Sequence, residues 1–185
     1  QSVANNPFVV LCMQSTREGK ERAEILQYLD TVKYVDYLWA ECGHKEVIIA
    51  DRNGIVRISS RKELVGTDIS TKDFFRTAIE GAFFTSNIMP SDIPIENESG
   101  ELEVGVPTML VSVPVKDRSN AIAGAVTIRI DVSEMNALMQ NVHLGKTGET
   151  YLVNAQGYML TESRFTEDLK GQRRISKRSA LELKV

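Results

Sequence analysis

Residues 46–66 read EVIIADRNGIVRISSRKELVG. The apolar run 47–50 meets Asp51-Arg52-Asn53-Gly54, and 55–59 then alternates apolar and polar. Asn-Gly accepts the positive φ angles of a tight turn, and period-two alternation marks a strand, so the stretch predicts a β-hairpin. The same grammar returns at 149–171, ETYLVNAQGYMLTESRFTEDLKG. Each copy has an apolar run, an Asp or Asn, two residues, a Gly, a second alternating run, Ser-Arg and a Leu-x-Gly ending. The copies start roughly 100 residues apart, too far for a solenoid unit and about right for a small domain. The chain reads as two copies of one module, the second cut short.

Downstream of the first hairpin, DISTKDFFRTAIEG (68–81) predicts a short helix. Ser70 or Thr71 is placed to cap it, it carries Phe74, Phe75, Ala78 and Ile79, and Gly81 ends it. Strands are expected at 83–88, 108–115 and 123–130, with a turn at 116–120. Two hairpins and one long crossing connection suit an antiparallel sheet. Residues 132–142 predict a second short helix with Met135, Leu138 and Met139 on one side. Upstream, 2–16 is helix-like apart from Pro7. Between 20 and 41, Ile25, Tyr28, Leu29, Val32, Val35 and Trp39 recur at helical intervals, one face of a long amphipathic helix. The fold class expected is α+β. It comprises an N-terminal helical region (1–45), a five-stranded sheet module (46–131), a connecting helix (132–144) and a partial second module (145–185).

The chain has 185 residues, 42% hydrophobic and 25% charged, as befits a chain able to bury a core. Its net charge of −3 gives no electrostatic reason to expect nucleic acid. No apolar run reaches the roughly 18 residues that cross a bilayer. The start, Gln1-Ser2-Val3, reads as the cut end of a longer protein, so membrane segments are expected only in flanking sequence. Cys12 and Cys42 form no disulfide framework or metal motif, and buried or free thiols are the default reading against a bridge between them. His44 and His143 sit alone in polar connections. No nucleophile elbow, H-E-x-x-H helix or phosphate loop is present, so no enzymatic activity is expected. The connection 90–105 carries Asp92, Glu96, Glu98, Glu101 and Glu103. Their spacing does not match a calcium loop, and a solvated charged loop is the preferred reading.

The order of the pieces resembles the double Cache family. A long helix, a D-x-x-G hairpin, VGTDISTKDFFRTAIEG, SVPVKD, AGAVTIRIDVSEM and LGKTGETYLVNAQGYML follow one another as in those PAS-like modules. The family lies on the outer side of prokaryotic membrane receptors such as sensor histidine kinases and chemoreceptors. The resemblance implies a membrane-distal PAS-like module, here the first, that takes a small ligand between its sheet and the covering helix-loop segment. It also implies a membrane-proximal module and homodimerisation in the intact receptor. No cofactor is expected. Haem or flavin is disfavoured because neither histidine lies in the pocket-forming elements.

Strand alternation puts Ala125, Thr127 and Arg129 on one face and Val126, Ile128 and Ile130 on the other. The second is expected to be the apolar core. Similarity to amino-acid-binding members places Arg129 where an aspartate grips the ligand ammonium, Lys72 where an arginine often meets the carboxylate, and Phe74 and Phe75 at an aromatic pair. An arginine at that strand position repels an ammonium and favours a carboxylate, which it can hold with two parallel hydrogen bonds. The expected ligand is therefore an anionic small molecule held by Arg129 with Lys72 and Thr127. Leu110 and Ser112 share a face with Thr108 on the neighbouring strand and complete the expected pocket, with Ser86 a weaker candidate. The competing readings are a solvent-facing Arg129 paired with Asp131 or Glu134, aromatic residues that only pack on the sheet, and a module that docks a periplasmic protein partner without its own ligand.

Overall fold

The computed structural model describes Lys33 and residues 44–97, 100–117, 119–142, 145 and 148–185. The helices read at 2–16 and 20–41, together with Cys12, Cys42 and His143, lie outside the described residues. Contacts divide the chain into two compact units. One takes in Leu110–Ile130 and the chain up to Asn87; the other takes Ile88–Met109 and Asp131–Val185.

The first unit is built on an antiparallel sheet. Its strands are β1 (Glu46–Asp51), β2 (Val56–Ser59), β3 (Phe84–Thr85), β7 (Pro107–Lys116, from Leu110 onward) and β8 (Ile122–Asp131, through Ile130), in the order β2-β1-β8-β7-β3. β1 is buried along its whole length, as the apolar run implied. Helix α1 (Asp73–Ile79) lies on one sheet face. Phe75 and Ala78 pack there with Ile48, Ala50, Val56, Ile69 and Ala125, and Phe74, Ile79 and Leu64 close the margin. The cap of α1 differs from expectation. Lys72 is the N-cap residue and makes no side-chain cap bond, because its ammonium has no acceptor for the helix N–H groups; Ser70 lies upstream, its N–H donating to Asp68 Oδ1 at 2.8 Å. Gly81 ends the helix at φ +96°, as the sequence predicted.

Of the strand expected at 83–88 only β3 forms, and the next paired piece, at 89–90, lies just beyond it. β3 pairs with β7 through Phe84↔Ser112 and Thr85↔Val111. β4 (Met89–Pro90) pairs with the start of β7 in the second unit, through Met89↔Thr108 and Pro90↔Pro107. Proline has no N–H to donate, so pairing at Pro90 cannot continue as a regular ladder. The sheet thus counts six strands rather than five.

In the second unit the acidic connection has structure of its own. β5 (Ile95–Glu96) and β6 (Leu102–Glu103) form a small hairpin, with Ile95 buried. Helix α2 (Ser133–Gln140) comes after β8, and Leu138 on it is 65% exposed, contrary to the expected apolar side. The second hairpin forms through the Leu160 N–H donating to Leu152 O at 2.7 Å. Helix α3 (Thr166–Gly171) comes next. The end of the chain then pairs with the second arm of that hairpin: the Met159 N–H donates to Leu183 O at 2.9 Å and the Leu181 N–H to Met159 O at 2.7 Å. The first copy does likewise, where the Val56 N–H donates to Thr67 O at 3.0 Å and the Gly66 N–H to Val56 O at 2.8 Å.

Candidate functional site

The residues singled out by sequence fall into three groups within the first unit. The first is the sheet face under α1. Because Ala125 packs with Phe75 and Ala78, alternation carries Thr127 and Arg129 to that same face. The register pairs Ile48 with Thr127 and Glu46 with Arg129. All of Ala125, Thr127 and Arg129 are buried, whereas Ile128 and Ile130 are only half-buried. The face expected to be polar is therefore enclosed too, alongside the apolar face with Val126, Val47 and Ile49. It tolerates burial because its polar groups are satisfied. Ser112 Oγ and Thr127 Oγ1 share a hydrogen bond of 2.9 Å. Arg129 Nε donates to Glu46 Oε2 at 3.1 Å, with only 6% and 4% of the two side chains exposed. Arg129 is thus not solvent-facing, and it meets Glu46 on β1.

The second group is aromatic. Phe75 is buried in the core cluster. Phe74 is half-buried, its ring 6.5 Å from that of Phe84 and inclined at 59°. Phe84 stands opposite Ser112 on β7, so it joins the hydroxyl pair to the aromatic margin. Leu110, one alternation from Ser112, is buried.

The third group is peripheral. Lys72 is exposed at the start of α1. Ser86 clips the sheet edge. Its N–H donates to Leu110 O at 2.9 Å, its Oγ accepts from the Leu110 N–H at 2.9 Å, and its hydroxyl donates to Asn87 O at 2.7 Å.

Two residues at this site went unseen in the sequence. Glu46 opens β1 and faces Arg129. Arg61 lies just beyond β2, and its Nη1 is 3.6 Å from Glu46 Oε1. The visible signal for both was the repeat itself. Glu149 and Ser163-Arg164 occupy the same places in the second copy, where Ser163 Oγ donates to Glu149 Oε2 at 2.7 Å and the Arg164 N–H donates to it at 3.2 Å.

The second unit holds a cleft of about 740 Å³ whose lining includes Asp131, Asn136, Glu162, Thr166, Lys170 and Lys177. Its charges are largely consumed internally. Glu162 Oε2 accepts from the Ser179 N–H and hydroxyl at 2.9 and 2.7 Å. Glu103 accepts from Lys177 Nζ at 3.0 Å and from Arg178 Nη2 at 2.6 Å. The Lys177 and Asn97 hydrogen bonds, then the Arg178 charge, hold the Glu103 carboxyl down at about 2. The sequence reading of Glu103 as part of a solvated loop is corrected by these contacts. Among the described residues no group of three or more His, Cys, Asp or Glu side chains is arranged to hold a metal ion.

No family model and no curated protein matches the chain. Solved structures do. The sensor domain of the V. cholerae histidine kinase DctB superposes with a TM-score of 0.57 at 14% identity, covering 86% of this chain and 55% of that one. The E. coli DcuS sensor domain gives 0.50 at 13% identity, covering 74% and 85%. The ligand-binding domain of the Pseudomonas aeruginosa amino acid chemoreceptor PctC, solved with GABA, gives 0.52 at 13% identity, covering 86% and 62%. The chain thus spans little more than half of the DctB sensor domain. At these identities the likeness is one of fold, and the fold is that of receptor sensor domains, in keeping with the double Cache resemblance. No described helix is long and apolar enough to cross a membrane.

Proposed function

We propose that this chain is the ligand-sensing part of an extracytoplasmic receptor domain, and that its first unit takes a small molecule bearing a carboxylate. The observation that carries the reading is the enclosed polar strip of Arg129, Thr127 and Ser112 on the sheet face that also receives α1. Protein cores avoid such groups unless they serve packing specificity or a ligand. Arg129 supplies the planar, bidentate partner for a carboxylate, the two hydroxyls supply orientation, and Phe74 and Phe84 supply an apolar margin. Lys72, exposed at the start of α1, adds a positive charge at the entrance. Phe75 and Leu110 form the floor, and Ser86 holds the edge strand that frames it.

The domain performs no chemistry of its own in this reading. Ligand binding biases an equilibrium between two arrangements of the sheet and its covering segments, by no more than the ligand's difference in affinity for the two. The helix predicted at 20–41 links the module to a membrane segment and pairs with a second copy in the intact receptor. Residues 145–185 are the start of a membrane-proximal module and pass the signal on.

Thermal melting against a panel of carboxylic acids, amines and sugars tests the reading. Anything that binds only the folded state raises its melting temperature. A rise confined to acids is expected. A flat response across all classes contradicts a sensing role, and a rise confined to amines contradicts the carboxylate.

A further inference from the structure

Glu46 sits in a row of alternating charge that crosses the sheet. Arg129 faces it from β8, with Nε 3.1 Å from Oε2, and Arg61 approaches from the other side, with Nη1 3.6 Å from Oε1. The register that pairs Ile48 with Ser59 carries Glu46 opposite Arg61 when extended by two residues. Arg61 Nη1 is buried and makes no hydrogen bond among the described residues. Its other nitrogens, Nε and Nη2, meet Glu63 Oε1 at 2.9 and 2.8 Å, on a side chain that is 63% exposed. A solvated carboxylate offsets a guanidinium weakly. The Glu46 carboxylate therefore lies between two guanidinium groups, and the Arg61 Nη1 donor has no hydrogen bond among the described residues.

We propose that Glu46 is an internal counter-ion occupying the place of a ligand carboxylate, and that an anionic ligand binds between Arg61 and Arg129 in exchange for the Glu46 contact. This rests on the reading of the first unit as a carboxylate sensor. A ligand carboxylate brings two acceptor oxygens into the plane of each guanidinium and satisfies the idle Arg61 Nη1. Glu46 competes for the same donors, so the empty site stays neutralised and the ligand's affinity is set by the exchange. Glu46 is also the first residue of β1, shortly after the helix predicted at 20–41. Releasing its carboxylate frees the first residue of β1 from both arginines. The site therefore has two alternative ion-pair arrangements, the kind of bistable element that a ligand can bias.

Calorimetric titration of malonate, citrate and GABA into the wild type, Glu46→Gln and Arg61→Gln tests the exchange, with melting temperatures confirming that each variant is folded. Removing a charged hydrogen-bond donor should weaken acid binding in Arg61→Gln by about tenfold, and removing the competitor in Glu46→Gln should tighten it about three- to tenfold. GABA, which carries both charges, should gain less from Glu46→Gln than the pure acids. Acid binding that neither substitution alters overturns the exchange and leaves the sensor reading standing. Absence of acid binding in the wild type overturns both. Weaker acid binding in Glu46→Gln overturns the counter-ion role. Should Glu46→Gln fail to fold, Arg61→Gln and Arg61→Lys decide the matter. Lysine keeps the charge but not the paired donors, so an affinity between those of wild type and Arg61→Gln supports the site, and wild-type affinity in both variants overturns it.

Discussion

At the scale of single residues, the polar strip under α1 stands or falls on how its hydrogen bonds are matched. Ser112 and Thr127 are both almost wholly inaccessible, and each hydroxyl has the other as its partner. Leaving one buried hydroxyl unmatched costs about 1–3 kcal/mol, whereas replacing both by apolar groups of similar shape can be nearly neutral. Thr127→Val alone is thus expected to lower stability in urea denaturation by about 1–2 kcal/mol, and Ser112→Ala with Thr127→Val to recover most of that loss. An additive double variant would show that the hydroxyls do not form one unit. Alternation alone placed Thr127, Arg129 and Ser112 on shared faces. It could not supply Glu46, because the Glu46–Arg129 contact spans 83 residues of chain. Nor did it supply Arg61, which lies just past the last residue of β2. Faces are a local property of a strand; partners are a property of the sheet.

At the scale of elements, the chain reuses one turn. Asp51 Oδ1 accepts the N–H groups of Asn53 and Ile55, Asp117 Oδ1 those of Ser119 and Ala121, and Asn154 Oδ1 those of Gln156 and Tyr158. Asn97 Oδ1 takes the Glu101 N–H in the same manner at the tip of the β5–β6 hairpin. The fourth residue of each turn has positive φ, at Gly54, Gly100, Asn120 and Gly157. Gly54 has a further constraint, since a Cβ there would stand 2.7 Å from the Ser70 backbone. This grammar is local, so the hairpins at 46–59 and 152–160 were legible before any fold was known. The β5–β6 hairpin was not, because two-residue strands carry no detectable alternation. The segments after the two repeated hairpins also diverge, with a short 3₁₀ turn at Lys62–Leu64 in the first copy and α3 in the second.

The β5–β6 hairpin supports a pH prediction. Glu103 is held at about 2, against an ordinary value of 4.5, by Lys177, Asn97 and Arg178. A carboxyl depressed on folding adds stability that is complete above its ordinary value and disappears as pH falls toward the depressed one. Because Lys177 is largely solvated, the gain is screened to about 1–2 kcal/mol. Glu103→Gln should therefore melt lower than the wild type at pH 7, and the gap should close between about pH 4.5 and pH 2. A gap of constant size across that range would show that the ion pairs are not its source.

At the scale of the whole molecule, the fold is shared with receptor sensor domains at about one residue in seven, 14% identity for DctB. A fold persists at that distance because it depends on pattern and volume rather than on particular residues. Ligand chemistry does not persist in the same way, and here it must be read from Arg129, Arg61, Glu46 and the two hydroxyls. The repeat that announced the fold also bears on function. Both copies bring an acidic residue and a Ser-Arg pair to the open end of a hairpin, and in the first that end meets Arg129 from β8. The central claim is that this place holds a carboxylate ligand. Calorimetric titration of malonate and citrate into the wild type and into folded Arg129→Gln tests it most directly. The account predicts saturable binding of at least one acid to the wild type, weakened about tenfold or more when the guanidinium is removed. Equal affinity in both proteins, or no binding to the wild type, would contradict it.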